Sequence, residues 1–324
     1  PTSLWSGSHC SMPRALSLLE VAYAVPTRMP TAQERVHELG IASAERMMTS
    51  HFFGLDRVPL LQQETYGGLV SEACRGLERL PALADTVTHV VAARTNPVIH
   101  WQESQELHET CAELGLIGAT VLSTTQLACA SGLGALSVAN ALLPDVEDGA
   151  TCLVVAGEPI PNIGFAYIPG TTLMSEAVSV ALVRRCSSGA RIVDDITSVC
   201  GQFFDAELPG GQLLAFQQRY PVAVTEVVQR LAERNGITLD DVEIFLPMNV
   251  NTLSWRRLAA QWNVPAERFW LDNVARLAHA YGADVFINYA DALAAGRIRA
   301  GDYAVGIATG LGATFSAVLL QQQD

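Results

Sequence analysis

Apolar runs of strand length alternate with helix-length stretches from one end of this chain to the other, which restricts it to a layered α/β fold. Val87–Ala93 reads as a strand and Gln102–Leu114 as an amphipathic helix. Ala119–Thr125, rich in β-branched residues, reads as a buried strand, and Gly132–Leu143 as a buried helix packed through small residues. Cys152–Gly157 and Glu176–Arg184 are further strands, and a polar Gly/Ser break follows at Arg185–Gly189. The pattern then restarts. Ile192–Thr197 is extended, Tyr220–Asn235 is helical up to a stop at Gly236, and Ile244–Pro247 ends a strand. Val285–Ala295 is a helix with Gly296 as its cap, and Tyr303–Thr309 and Thr314–Leu320 are strands across a Gly310-Leu311-Gly312 turn. Two halves of similar element order, 12–185 and 186–324, point to a duplicated architecture, although no residue-level repeat accompanies it.

Composition narrows the chemistry. Of the 324 residues, 49% are apolar and 16% charged, so a large buried interior is expected rather than disorder. No apolar run reaches the ~20 residues that span a bilayer, and the start lacks a charged segment ahead of an apolar one, so the chain reads as cytoplasmic. Pro1–Ser11, with its Gly-Ser-His, reads as the remnant of an added tag ahead of Met12. The seven cysteines are odd in number and form no CxxC pair, which argues against a disulfide framework or a zinc site. His37, His51, His89 and His100 have no metal-ligand spacing either, so no metal is expected. Every basic residue is Arg, which removes Schiff-base and P-loop lysine chemistry. A net charge of −13 argues against nucleic-acid or anionic-membrane binding. Arg256–Arg257 and Arg184–Arg185 could offer local patches to an acidic carrier protein, or be ordinary solvated arginines.

The most informative residue is Cys129, in Gln-Leu-Ala-Cys-Ala-Ser-Gly-Leu-Gly, where the β-branched run gives way to the small-residue helix. A thiol at the first turn of a helix feels unpaired N–H groups and the positive end of the dipole, both of which favour thiolate. A cysteine so placed is a candidate acyl-accepting nucleophile; the alternative is a buried core cysteine.

Four segments recur in the order of one acyl-transfer machine: the Cys129 elbow, Pro247-Met248-Asn249-Val250-Asn251, His279-Ala280-Tyr281-Gly282-Ala283-Asp284, and Gly310-Leu311-Gly312-Ala313-Thr314-Phe315. With Gly-Arg-Ile-Arg-Ala-Gly-Asp at 296–302, they resemble the ketosynthase III (3-oxoacyl-carrier-protein synthase III) family of the thiolase fold, over nearly all of the chain. The resemblance implies a five-layered αβαβα fold of two related halves, a homodimer, and a cysteine at the base of a tunnel. It also implies an acyl group loaded from coenzyme A or an acyl carrier protein, these thioesters being substrates, with no resident cofactor. The implied oxyanion donors are the backbone N–H groups of Cys129 and Leu311, the latter standing where the family usually has glycine.

Two departures bear on the reaction. Condensing members stabilise an enolate with a His and an Asn; here Met248 occupies the His slot and His279 the Asn slot. The site thus keeps one nucleophile and one imidazole, His279 being the only histidine after Cys129. That pattern is similar to the family's C–O and C–N acyltransferases of natural-product (polyketide, antibiotic) biosynthesis, with His279 as general base for an alcohol or amine acceptor. The Arg-, Ala- and Leu-rich composition fits a GC-rich bacterial source and such a pathway. A decarboxylative starter-unit ketosynthase is the alternative, and a non-catalytic partner subunit a weaker one because Cys129 is intact. Asp284 could orient the imidazole, but a spacing of five residues is not one helical face and favours a capping role. Asn251 is expected to bond backbone and Met248 to pack. His108 reads as a surface or packing residue. Trp101, Trp255, Trp262 and Trp270 could line a pocket, with core packing the simpler reading.

Overall fold

The computed structural model describes residues 15–42, 47–144, 149–203 and 210–324. Pro1–Ser11 and Met12 lie outside the described residues. The strands are β1 (Leu16–Ala24), β2 (Val87–Ala93), β3 (Thr120–Thr124), β4 (Thr151–Ala156), the short hairpin β5 (Tyr167–Ile168) and β6 (Thr172–Leu173), β7 (Val178–Arg185), β8 (Ala190–Val199), β9 (Val242–Pro247), β10 (Tyr303–Gly310) and β11 (Thr314–Gln322).

One pairing pattern occurs twice. In the first half β1 pairs antiparallel with β7, β7 antiparallel with β4, β4 parallel with β2, and β2 parallel with β3. In the second, β8 pairs antiparallel with β11, β11 antiparallel with β10, and β10 parallel with β9. Beside β9, a parallel bridge from Phe245 to Phe269 stands where the first half has β3. The halves join edge to edge through two residue pairs, Ser17–Arg191 and Leu18–Ala190, giving the nine-strand order β3-β2-β4-β7-β1-β8-β11-β10-β9.

Helices complete the layers. Helix α1 (Tyr66–Arg75) packs on β1, β7 and α2 (Trp101–Glu113), covering the outer face of the first half. Helix α3 (Ser131–Leu142) touches β2 and β4 on one side and β10 and β11 on the other. Between α3 and the chain end, α4 (Gly210–Arg234) covers β8, β10 and β11, with α5 (Thr252–Trp262) beside it. Helix α6 (Asp284–Ala294) contacts β1, β7, β9 and β10. The result is the αβαβα sandwich of the thiolase fold, with α3 and α6 as its central layer. A helix between two sheets must be apolar on all sides and slender, which is why α3 reads Ser-Gly-Leu-Gly-Ala-Leu. Every residue of β4 is buried, as an interior strand covered on both faces requires.

The principal core spans both halves, and within it Phe245 stacks on Phe269 at 4.8 Å beside Trp255 and Trp262. Several expectations need correction. The run at Ala119–Thr125 is not fully buried: β3 pairs only with β2 and is half-exposed along its length. The helix expected from Tyr220 starts at Gly210, so Pro221 lies inside it. Trp101 opens α2 and is 76% exposed, not packed, whereas Trp255 and Trp270 are buried. Arg185 is no open patch, since its guanidinium bonds Asn140 and the Leu143 and Pro144 carbonyls past the end of α3. Arg256 and Arg257 are exposed on α5, and His108 is exposed on α2 with Nδ1 against the Ser104 carbonyl. Among the described residues no helix is long and apolar enough to cross a membrane.

Candidate active site

Cys129 lies in a single 3-10 turn, Ala128–Ala130, between β3 and α3. Ala128 has a left-handed φ of +49°, and its N–H donates to the Thr125 carbonyl, so the chain reverses sharply from strand into helix. This sets Cys129 just ahead of α3, with its side chain buried. Two close approaches fix the turn. A Cβ on Gly132 would stand 2.3 Å from the Gly282 carbonyl oxygen, and one on Gly310 would stand 2.2 Å from that of Leu127. Only glycine permits three segments, around residues 129, 282 and 310, to converge here.

His279 arrives from the other half. It is held along β6 by its N–H to the Leu173 carbonyl and its own carbonyl to the Ser175 N–H. Ala278 and Tyr281, on either side, both have left-handed backbones, with φ +52° and +55°. The ring's Nδ1 lies 2.6 Å from Oδ2 of Asp284, and the ring is also within hydrogen-bonding reach of the Cys129 sulfur. With Nδ1 committed to Asp284, Nε2 is the nitrogen left for sulfur. Asp284 is itself fixed: Oδ2 accepts the Asn249 N–H at 2.7 Å and Oδ1 the Ala280 N–H at 2.8 Å. Burial alone would push the His279 imidazole down, but the Asp284 carboxylate and the Cys129 sulfur outweigh it and raise its pKa to about 10. At neutral pH the ring is a cation between carboxylate and sulfur.

The structure thus places Cys129, His279 and Asp284 together. The capping role favoured for Asp284 gives way to orientation of the imidazole. The five-residue spacing misleads because His279 precedes α6, and the turn 281–283 folds it back onto the first residue of that helix. Asn251 bonds backbone: it caps α5 through the Ser254 N–H and donates to the Thr171 carbonyl. Met248 is buried, with Sδ accepting the Thr309 N–H at 3.3 Å. Leu311 lines the cavity from the Gly-rich turn and is half-exposed.

That cavity, of about 530 Å³, has Cys129 in its wall together with Thr95, Thr125, Glu158, Met174, Tyr281 and Leu311 among others. Glu158 and Tyr281 are absent from the residues singled out in the sequence. Glu158 is buried against Arg94 (2.8 Å) and accepts the N–H groups of Thr95 and Asn96. Burial pushes its carboxyl up while Arg94 opposes the shift. Its position just past the carboxyl end of the parallel strand β4 was the available signal, because open α/β sheets gather ligand sites there. Tyr281 had no such signal, since its left-handed backbone is a property of the folded turn.

Comparison with known proteins agrees with this architecture. Residues 232–322 match the model of the 3-oxoacyl-[acyl-carrier-protein] synthase III C-terminal family. The β-ketoacyl-[acyl-carrier-protein] synthase III of Rubrobacter xylanophilus is 28% identical over 261 residues, covering 77% of this chain and 81% of the relative. The solved structure of ChlB3, an acyltransferase, superposes with a TM-score of 0.80 at 15% identity, over 95% of this chain and 98% of that one. The priming β-ketosynthase of the R1128 polyketide pathway gives 0.78 at 19% identity, over 98% and 99%. By its five-layered sandwich and these superpositions the chain has the thiolase fold, and its sequence is similar to the ketosynthase III family, whose C-terminal model it matches.

Proposed function

We propose that this protein is an acyltransferase that takes an acyl group from an acyl-CoA or acyl carrier protein onto Cys129 and passes it to an alcohol or amine in secondary metabolism. The observation that carries the proposal is a single imidazole, His279, bonded to Asp284 and in reach of Cys129, while the slot after Pro247 holds a thioether. The fold-level likeness to ChlB3 supports the same reading.

The charges make the two half-reactions complementary. In the first, the Cys129 sulfur attacks the thioester carbonyl, the carbon–sulfur bond to the donor breaks, and His279 gives its proton to the departing thiolate. In this reading the backbone N–H groups of Cys129 and Leu311 hold the oxyanion, donors of a kind worth ~10²–10³ in rate. Acylation turns the sulfur into a neutral thioester and so removes one of the two partners that hold the imidazole high. His279 is left neutral and able to take the proton of an alcohol or amine as it attacks. The ester or amide departs and the sulfur–imidazolium pair is restored. Atoms and electrons balance between thioester and acceptor, so the reaction requires no resident cofactor. A homodimer is the assembly we favour, the half-exposed edge strand β3 being open to a second copy.

A condensing ketosynthase is the second reading, favoured by the name of the Rubrobacter relative. Decarboxylating a malonyl unit creates an enolate, and a thioether offers it no proton or hydrogen bond. Giving the acyl-loaded protein malonyl thioester separates the two. We expect no carbon dioxide above background and acyl transfer to oxygen or nitrogen acceptors; release of carbon dioxide with a 3-oxoacyl product would overturn the proposal.

A further inference from the structure

Two buried hydroxyls of the cavity have no partner among the described residues: the Tyr281 phenol and Oγ1 of Thr95. Unpartnered buried hydroxyls are destabilising and rare in native proteins. Both border Glu158, but that carboxylate is already filled by Arg94 and the Thr95 and Asn96 N–H groups. Tyr281 is 4% exposed, and burial keeps its phenol protonated and therefore a donor. Its left-handed backbone, uncommon for an aromatic residue, is clamped by the contact of Gly132 on Gly282. A strained residue held with an idle hydroxyl beside the nucleophile is placed for a ligand. The residues lining the cavity include no Arg or His, and the one carboxylate among them, Glu158, is already paired with Arg94, so the wall offers no partner for a charged acyl chain. The rest of the wall is largely apolar, with Phe165, Ile168, Pro169 and Met174.

We propose that the Tyr281 and Thr95 hydroxyls select the acyl group, binding a hydroxyl or keto oxygen on an uncharged chain attached to Cys129. The inference rests on the acyl-enzyme reading above and adds the chemical class of its acyl group.

The test is the rate at which Cys129 is acylated, followed by intact mass, with butanoyl-CoA against its 2-, 3- and 4-hydroxy analogues. At least one hydroxy analogue should load about tenfold faster than butanoyl-CoA. Tyr281→Phe and Thr95→Val should each cut that preference several-fold, and the double variant should bring it near unity, as loss of one or two neutral hydrogen bonds requires. The preference is read as the ratio of hydroxy-analogue to butanoyl loading within each variant, and the denaturation midpoint should be unchanged or raised, because each substitution removes an unpartnered group. A wild-type protein that loads all four chains equally, or a double variant that keeps the preference, overturns the assignment while leaving the acyl-enzyme intact. If none of these thioesters loads Cys129, the acyl-enzyme reading fails and takes the assignment with it.

Discussion

Asp284 is where the chemistry of single residues is easiest to test, because its carboxylate does three things at once. It accepts two backbone N–H groups and holds the imidazolium of His279. Asp284→Asn keeps the shape, removes the charge and turns an N–H donor toward groups that need an acceptor. The expected result is acyl loading slowed ~10²-fold or more, measured in single turnover. Its effect on stability should also depend on pH. The folded-state pKa of His279 is raised from 6.5 to about 10, so its contribution is fully present below about pH 6.5 and fades as pH rises through about 10. The difference in denaturation midpoint between wild type and Asp284→Asn should therefore narrow from pH 6.5 to pH 10; a difference that widens would contradict the charge assignment. Cys129 and His279 were visible in the sequence because context singled each out. The link through Asp284 and the idle hydroxyl of Tyr281 were not, since they depend on left-handed turns that spacing rules do not describe; nor was that of Thr95, which tertiary packing alone brings to the cavity.

At the scale of elements, the strand and helix order was legible because apolar runs of two lengths alternate cleanly. What the pattern missed was context. The apolar residues of β3 look like those of a central strand, yet β3 lies at an edge, and Trp101 looks like core although it opens a helix facing solvent. The approach of elements was equally hidden. Non-glycine residues with left-handed backbones flank the site at Ala128, Ala278, Tyr281 and Ala313, and glycines mark where backbones touch. Gly132→Ala puts a methyl group 2.3 Å from the Gly282 carbonyl and must part α3 from the turn that follows His279. We expect a destabilisation of ~1–3 kcal/mol, seen as a denaturation midpoint a few degrees lower, and a marked loss of loading. Unchanged loading would mean that the approach of these segments does not position the thiol.

Across the whole molecule, duplication explains how residues 150 positions apart in sequence come within hydrogen-bonding reach of each other. The nucleophile stands just before α3 and the imidazole just before α6, and these helices together form the layer between the two halves. The alternation of elements made the two halves readable, but not that α3 would pack on the turn at 281–283 that leads into α6. The most direct measurement is single-turnover loading of butanoyl-CoA onto wild type, Cys129→Ala and His279→Ala, read by intact mass and peptide mapping. We expect one adduct per wild-type chain on the peptide carrying Cys129, none on Cys129→Ala, and loading of His279→Ala slowed ~10²-fold or more. An adduct that survives in Cys129→Ala, or equal rates with and without the imidazole, would contradict the account.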